Sequence, residues 1–273
     1  MIVERAYAKL NLALDVVNKR EDGYHNLRMI MVPLELHDTL TFLEFDDILL
    51  TSDIEIQDNL ITKTAWLIKE KYLVKQGVHI RLEKDIPLGA GLAGGSADIA
   101  ATIRGLNRLW ELNLSIEEQE KIALDLGSDT LFCLHNKPAY VSGRGEHITF
   151  LNPIHIPTVY LFPSLIEVST KKVFEHHRII PSKIAFEDLI NAYQCQAFER
   201  FFSITYNALT ETTLTLYPSL KKEMRILKKI GYPLFMTGSG STFYALLFND
   251  EDEQLLKKVL KYGINFIKTR TKT

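Results

Sequence analysis

The 273-residue sequence has few cysteines and no long apolar run. Its two cysteines, Cys133 and Cys195, form no C-x-x-C pair, which argues against a disulfide-stabilised secreted domain and favours a reducing compartment. Charges at Glu4, Arg5 and Lys9 interrupt the N-terminal segment, and no later stretch is long enough without charges to cross a membrane. We therefore expect a cytoplasmic protein that is neither exported nor inserted into a membrane.

An excess of charge of either sign is also missing. The 32 basic and 34 acidic side chains give a formal net charge of -2, a field too weak to attract nucleic acid or an anionic membrane over long range. The eight histidines form no H-x-x-x-H pair and no set with the cysteines, and no serine lies in G-x-S-x-G. These absences leave no readable metal centre or nucleophilic triad. Because the net charge is close to zero, any anion must be bound by a local group of residues.

What the sequence does have is a glycine-rich run, P-L-G-A-G-L-A-G-G-S, from Pro87 to Ser96. Glycines have no Cβ, so their backbone N–H groups can turn inward toward phosphate oxygens. Apolar residues follow at helical spacing, at Ile99, Ile103 and Leu106. The loop should therefore lead into a helix whose first N–H groups and positive dipole end face the same place. We predict that loop and helix together bind phosphate.

Two common phosphate-binding motifs account for this run poorly. Gly89, Gly91 and Gly94 satisfy the dinucleotide pattern G-x-G-x-x-G. Glu111 stands about where a ribose-binding residue would be, but Pro87 interrupts the strand that should precede the loop. The Walker pattern fails because no G-K-[ST] closes the run. A dinucleotide-dependent oxidoreductase is therefore the least favoured of the functions that we consider for this chain.

The remaining pattern alternates between strand-like and helix-like segments, and we expect an antiparallel start. Strands are predicted at 10–17, 27–36, 39–45, 78–82 and 242–248. Helices are predicted at 59–75, from the glycine run to residue 110, at 115–126, around 197–209 and around 218–229, before a closing helix and strand. Asp58 or Asn59 is the expected cap of the first helix, and Ser115 with Glu118 forms a capping box for the third.

Several separate motifs resemble, in the same order, those of the GHMP kinases, the family of galactokinase, homoserine kinase and mevalonate kinase. They are A-K-L-N-L from Ala8, D-G-Y-H from Asp22, the glycine run, G-S-D from Gly127, G-R-G-E from Gly143 and M-T-G-S-G-S from Met236. The resemblance implies a two-lobe α+β fold, with an N-terminal lobe like ribosomal protein S5 and a C-terminal ferredoxin-like lobe. Prolines crowd the stretch after residue 151, so we place the lobes at 1–152 and 153–273.

The resemblance implies a kinase that uses ATP and Mg²⁺ to phosphorylate a small cytidine-diphosphate sugar alcohol in isoprenoid precursor biosynthesis. Phosphoryl transfer requires a protein mainly to position ATP and the accepting alcohol and to neutralise the charge on the transferred group. Asp129 matches the family's aspartate that contacts the accepting hydroxyl, and Lys9 matches the lysine paired with it. The glycine turn at 238–241 is implied to brace the phosphate loop.

For ATP, the resemblance implies residues on the adenine side and residues around the phosphates. The adenine-side residues are Asn59, Leu60 and Lys84, and those around the phosphates are Pro87, Gly89, Ala90, Gly91, Leu92, Ala93, Gly94, Gly95 and Ser96. Ser96 is the candidate Mg²⁺ ligand, with phosphates and water holding the rest of the ion. We interpret Asp98 as compensation of the helix dipole.

For the substrate, the resemblance implies an aromatic site for cytosine at Tyr24, His25 and Phe174. A pyrimidine is well bound by stacking on an aromatic face with hydrogen bonds to its edge. Thr170 belongs to the same site, and Asn11 would hydrogen-bond the sugar-like end. The aromatic residues distinguish this reading from its nearest alternative, the same fold acting on homoserine or a galactose-like sugar.

Some positions depart from the family pattern. Thr130 and Leu131 replace the Val-Pro that commonly follows the aspartate, and the segment 182–215 matches poorly. Ala93 and Ala97 replace residues that are often Gly and Ser, changes expected to cost a hydroxyl at most. These departures keep open a non-catalytic nucleotide-binding relative, and both a monomer and a homodimer remain open.

Overall fold

The structure is a computed structural model that describes residues 1–54, 59–248 and 252–273. Strands and helices are mixed throughout, which confirms the predicted α+β class. The strands are β1 (Ile2–Lys19), β2 (His25–Phe45), β3 (Ile48–Ser52), β4 (Gly77–Glu83), β5 (Ala139–Gly143), β6 (His147–Phe150), β7 (Thr158–Phe162), β8 (Phe235–Met236), β9 (Phe243–Leu247) and β10 (Ile267–Thr269). The helices are α1 (Leu60–Lys71), α2 (Gly94–Leu109), α3 (Ile116–Leu126), α4 (Thr130–His135), α5 (Thr170–His176), α6 (Phe186–Gln194), α7 (Phe198–Ile204), α8 (Thr210–Leu216), α9 (Pro218–Leu227) and α10 (Asp252–Lys261).

The chain forms two compact units, each built from several separate segments. The first unit comprises Met1–Ala8, Leu36–Pro87 and Ala93–Asn136, and the second comprises Lys9–Glu35, Leu88–Leu92 and Lys137–Thr273. These units alternate along the chain, whereas the predicted lobes are continuous, so the lobe boundary near residue 152 stays a prediction. Among the residues that the structure describes, no helix is both long and apolar enough to cross a bilayer.

The first two strands are longer than the sequence pattern predicts. β1 pairs with β2, and the Arg20 N–H closes the turn between them by donating to the Tyr24 carbonyl at 2.8 Å. β2 continues without a break from His25 to Phe45, so the two strands predicted at 27–36 and 39–45 are one strand. The polar residues between them, including Asp38, therefore do not mark a turn.

In the first unit, helix α2 lies directly against a sheet. β4 pairs antiparallel with the end of β2, from Thr39 opposite Glu83 onward, and parallel with β3. A Cβ placed on Gly105 of α2 would be 2.4 Å from the Phe42 ring of β2. Only glycine therefore lets the helix backbone approach the ring this closely. The predicted apolar face of α2 is buried, as expected for a core helix.

Two predicted helix starts are confirmed. Asn59 caps α1, and its side chain accepts a hydrogen bond from the backbone of the first turn. The other candidate cap, Asp58, lies outside the described residues. Ser115 and Glu118 form the predicted capping box at the start of α3, with both reciprocal hydrogen bonds present. Cys133 is buried within α4, where it packs as a small apolar side chain.

Helix α1 ends at Lys71, earlier than the predicted residue 75. Leu73 has a left-handed φ of 53°, and the Val74 N–H donates to the Lys69 carbonyl at 2.9 Å. This hydrogen bond closes a Schellman motif, which stops the helix regardless of the apolar spacing beyond it.

In the second unit, a four-stranded sheet has the order β10-β7-β9-β8 with antiparallel pairs, and β5 pairs with β2 and β6. The helix predicted at 197–209 is wrong beyond Ile204. There the backbone turns toward β1: the Leu14 N–H donates to the Tyr206 carbonyl at 3.0 Å, and the Ala208 N–H donates to the Leu14 carbonyl at 2.9 Å. The predicted strand near 242–248 and the closing helix and strand are confirmed as β9, α10 and β10.

Candidate functional site

The glycine loop, residues 87–96, has a left-handed backbone at every second position of its first part. The φ angles are 63° at Gly89, 73° at Gly91 and 58° at Ala93. Gly94 is the first residue of α2, and Ala93 at its N-cap position makes no side-chain capping hydrogen bond. The N-cap residue of α2 therefore offers these first N–H groups no side-chain acceptor, an arrangement that suits an anion-binding helix start.

The loop side chains and the loop backbone have different surroundings. Ala90 and Leu92 are buried, so their side chains pack in the interior and only their backbone can serve phosphates. Pro87 is half-buried, whereas Gly89 and Gly95 are exposed. Gly95 lies next to Leu60, whose Cδ1 would be 3.6 Å from a Cβ on that glycine. The first unit thus brings one predicted adenine-side residue beside the start of α2.

Within the second unit, residues 236–241, which we call the brace turn, pack on Gly91. A Cβ on Gly91 would lie 2.8 Å from the Gly240 carbonyl oxygen and 2.9 Å from that of Thr237. The Lys9 N–H donates to the Leu92 carbonyl at 3.0 Å, which ties the same part of the loop to β1. These contacts confirm the predicted brace.

Lys9 and Asn11 project from the same face of β1 and are both buried. The Lys9 ammonium donates to Asn11 Oδ1 at 2.6 Å, and the Asn11 N–H donates to Thr237 Oγ1 at 3.1 Å. A Cβ on Gly238 would lie 3.4 Å from Lys9 Nζ. The ammonium therefore lies between Asn11 and the brace turn, a position that the sequence motifs did not reveal.

Asp129 belongs to the first unit, at the N-cap position of α4, and is half-buried. Its carbonyl accepts the Cys133 N–H at 3.1 Å, and its side chain does not cap the helix. The turn before it approaches α2, because a Cβ on Gly127 would lie 3.8 Å from Ser96 Oγ. Within the first unit, the turn that precedes the candidate catalytic carboxylate thus lies near the start of α2. Its pairing with Lys9, which lies in the second unit, stays a prediction.

Lys84 is buried between two carboxylates rather than reaching into solvent. Its ammonium donates to Asp38 and to Asp98 Oδ2, the latter at 2.9 Å, and only 3% of its side chain is exposed. Burial raises the pKa of Asp98 to about 7 despite the opposing effect of the ammonium. The interpretation of Asp98 as dipole compensation is therefore wrong: it lies beyond the first turn of α2 and forms an ion pair.

Asp38 also holds the chain at the entrance to the glycine loop. Its Oδ1 accepts the backbone N–H groups of Asp85 and Ile86 at 2.8 and 2.7 Å. A Cβ on Gly94 would lie 3.0 Å from Lys84 Nζ. The three charged side chains therefore connect β2, the exit of β4 and the start of α2. The prediction that Lys84 binds ATP remains untested by these contacts.

The predicted aromatic residues form two separate contacts in the second unit. The rings of His25 and Phe174 are stacked, with centroids 5.1 Å apart and an interplanar angle of 27°. A base held between two rings would need a separation of roughly 7 Å, so a pyrimidine would stack on an outer face of this pair. Tyr24 is 51% exposed, and the Arg144 guanidinium lies 5.4 Å above its ring. Burial lowers the pKa of His25, with a smaller effect from Lys19, which favours a neutral imidazole.

A hydroxyl pair connects the aromatic region to the brace turn. Thr170 Oγ1 and Ser239 Oγ are 2.8 Å apart, and Thr170 begins the helix that carries Phe174. Thr213 Oγ1 donates to the Ser239 carbonyl at 3.0 Å. The G-S-G-S motif pointed to this turn, but no short-range pattern pointed to Thr213.

Oxygen donors suited to Mg²⁺ are few in this region. In the parts of the chain covered by the structure, no three His, Cys, Asp or Glu side chains converge as a metal site would require. The Ser96 hydroxyl and the Asp129 carboxylate are donors of the type that Mg²⁺ accepts. Both belong to the part of the first unit around the start of α2, so the residues fit an ion held mainly by phosphates.

Two family models match the chain. The model described as GHMP kinases N terminal domain matches residues 59–137, and the model described as GHMP kinases C terminal matches residues 186–265. The matched segments include the glycine loop, Asp129 and the brace turn.

Individual relatives agree with these models. The chain is 40% identical over 257 residues to the 4-diphosphocytidyl-2-C-methyl-D-erythritol kinase of Bacillus subtilis (strain 168), which covers 90% of this chain and 88% of the relative. A crystal structure of a 4-(cytidine 5'-diphospho)-2C-methyl-D-erythritol kinase has a TM-score of 0.82 and 28% identity over 100% of both chains. A homoserine kinase from Cytophaga hutchinsonii has a TM-score of 0.74 at 16% identity, covering 99% of this chain and 94% of that one, and shows a shared fold alone.

Proposed function

The chain belongs to the GHMP kinase family, and we propose that it transfers the γ-phosphate of ATP to the C2 hydroxyl of 4-diphosphocytidyl-2-C-methyl-D-erythritol. This reaction belongs to isoprenoid precursor biosynthesis without mevalonate. One observation carries the choice of substrate: the identity of 40% to a relative of that name extends over 90% of the chain. The homoserine kinase of the same fold shares only 16%.

In this proposal the glycine loop and the start of α2 bind the triphosphate. The N-cap residue Ala93 offers the N–H groups there no side-chain acceptor, and the positive end of the helix dipole favours the phosphate charge. Mg²⁺, with Ser96 as a protein ligand beside phosphate and water oxygens, supplies charge neutralisation when bound. The Lys9 ammonium stabilises the negative charge that develops on the transferred group.

The accepting hydroxyl is oriented by Asp129, which also takes its proton as the phosphoryl group arrives. Asp129 is half-buried at the N-cap position of α4, after the turn that approaches Ser96. Cytosine binds at the His25 and Phe174 stack, where a neutral imidazole can donate one hydrogen bond and accept another. Asn11, fixed by Thr237, holds the sugar-like end. Both free thiols suit the cytoplasm, where we propose that the enzyme acts as a monomer or homodimer.

A direct assay tests the proposal. Purified protein is incubated with ATP, Mg²⁺ and the cytidylyl substrate, with homoserine and galactose as control alcohols, and the phosphorylated product is measured. Turnover confined to the cytidylyl substrate supports the proposal. Turnover of a control alcohol alone would mean the same chemistry on another substrate, and ATP binding without any turnover would indicate a non-catalytic relative.

The role of Asp129 is tested by Asp129→Asn, which keeps the shape and removes the charge. We expect turnover to fall by at least about 1,000-fold while the folded state and ATP affinity persist. The matched control is Asp125→Asn, an exposed aspartate at the end of α3, which should change turnover by less than about twofold. An active Asp129→Asn enzyme would reject the assigned role.

A further inference from the structure

We propose that Asn207 is a positioning residue for phosphoryl transfer, which acts through the brace turn on Lys9 and Gly91. The inference deepens the proposed function and rests on it. Asn207 lies between α7 and α8, within the residues that the GHMP kinases C terminal model matches. Its importance comes from its contacts alone.

The side-chain amide of Asn207 holds two carbonyls of the brace turn at once. Its Nδ2 donates to the carbonyl oxygens of Met236 and Gly238, both at 2.8 Å. Its Oδ1 accepts the Leu209 N–H at 3.0 Å, which fixes the orientation of the amide. Both N–H bonds of one side chain are therefore given to the two residues on either side of Thr237.

The backbone around Asn207 is anchored on β1. The hydrogen bonds of Leu14 with Tyr206 and Ala208, at 3.0 and 2.9 Å, bridge the two segments on either side of Asn207. Thr205 Oγ1 adds a hydrogen bond to the Leu12 carbonyl at 2.6 Å. β1 is the strand that carries Lys9, so Asn207 connects that strand to the turn that contacts the lysine.

The part of the turn that Asn207 holds is the part that contacts the proposed machinery. A Cβ on Gly238 would lie 3.3 Å from the Gly91 carbonyl oxygen and 3.4 Å from Lys9 Nζ. The turn backbone at Gly238 thus lies close to both groups, and closely packed backbone deforms little without moving its neighbours. Movement of Gly238 therefore changes the surroundings of both the ammonium and the phosphate loop. Misplacement of about 1 Å costs up to about 100-fold in rate.

The test uses Asn207→Asp, which keeps the size of the side chain and replaces both donated N–H bonds with an oxygen that faces two carbonyls. We expect kcat to fall by about tenfold or more and the Kd for ATP to rise several-fold. The KM for the cytidylyl substrate is measured alongside, because Thr170 and Asn11 contact Ser239 and Thr237 of the same turn. Kinetics are measured below the Tm of each variant.

A matched control exists in the first unit. Asn107 makes the same kind of clamp, donating from Nδ2 to the Leu114 carbonyl at 3.3 Å and accepting the Leu114 N–H at 2.9 Å. Asn107→Asp should lower the Tm and leave kcat and ATP affinity within about twofold. If Asn207→Asp behaves in the same way, with a lower Tm and unchanged constants, the residue is merely structural and the proposal is overturned.

Two further measurements keep the test decisive. If Asn207→Asp does not fold, Asn207→Ser takes its place, because serine retains one hydrogen-bond donor. We expect its kcat to lie between that of the wild type and that of a variant without donors. Unchanged kcat and ATP affinity overturn the proposal. If the wild type does not phosphorylate the cytidylyl substrate, the proposed function fails on its own. The Kd for ATP, measured by equilibrium titration, then still decides whether Asn207 positions the loop, since an unchanged Kd overturns that role.

Discussion

Lys84 and Asp98 form a buried ion pair in which Nζ and Oδ2 are 2.9 Å apart. Asp38 contacts the same ammonium, so two carboxylates share one positive charge away from water. Burial therefore favours the neutral acid of Asp98 and raises its pKa from 3.8 to about 7. The cluster lies under Gly94, at the start of the helix that we propose binds phosphate.

This relationship predicts how stability depends on pH. The pKa of Asp98 is higher in the folded than in the unfolded chain, so the folded state binds the proton more tightly. The resulting stabilisation is complete at low pH and is lost as the pH rises toward about 7. Asp98→Asn removes the titration, and its free energy of unfolding relative to wild type should rise by about 2 kcal/mol between about pH 5 and pH 7. Urea unfolding at several pH values measures this, with Asp125→Asn as the exposed control; parallel curves for Asp98→Asn and wild type would contradict it.

Gly91 and Gly89 should respond differently to the same substitution. Gly91→Ala places a methyl against two backbone oxygens at 2.8 and 2.9 Å, in a residue whose φ is 73°. We expect the free energy of unfolding of the nucleotide-free protein to fall by about 2–4 kcal/mol. Gly89→Ala has a similar φ of 63° but nothing within 4 Å, so backbone strain alone should cost about 1 kcal/mol. Equal losses measured by urea unfolding would mean that the brace turn yields to the methyl.

Leu73 offers a stabilising substitution far from the candidate site. Its side chain is 86% exposed, yet its φ of 53° is one that glycine adopts without strain. Leu73→Gly should raise the free energy of unfolding by about 0.5–1 kcal/mol, because it relieves the C-terminal turn of α1. Leu73→Ala removes the same side chain but keeps the strain, and should be nearly neutral. A gain of the same size for both variants would assign the effect to the exposed leucine rather than to the backbone.

Phe174 should affect one substrate only. Phe174→Ala removes the ring stacked on His25, and the KM for the cytidylyl substrate should rise about tenfold, while the KM for ATP stays constant. Phe198→Ala is the matched control because Phe198 is also half-buried and stacks on Phe248 with centroids 5.0 Å apart. Steady-state kinetics with each substrate varied in turn separate the two variants. An unchanged KM in Phe174→Ala would remove this ring from the cytosine site.

Features that depend on neighbouring residues were predictable from the sequence. The capping box of Ser115 and Glu118 requires residues three apart, and the cap at Asn59 requires residues two apart. The turns at the glycine runs 87–96 and 238–241 were also predictable, because closely spaced glycines mark turns and loops. Family resemblance then supplied the pairing of these two runs.

Features that depend on distant residues were not predictable. Asp38 and Lys84 are 46 positions apart, and Asn207 is 31 positions from Gly238, so no spacing rule connects them. The polar residues around Asp38 suggested a break in β2 because a buried ion cluster and a surface turn use the same residue types. The helices α4, α5, α6 and α8 have only 6, 7, 9 and 7 residues, too few turns for apolar periodicity to be clear.

Gly105 sets the distance between α2 and the sheet, since a methyl there would be 2.4 Å from the Phe42 ring. A larger residue at 105 can be accommodated only if position 42 loses volume, so the two sites should covary during evolution. The pair thus records in two sequence positions how closely a helix and a sheet can meet, a relation that an alignment of relatives would reveal as coupled residue volumes.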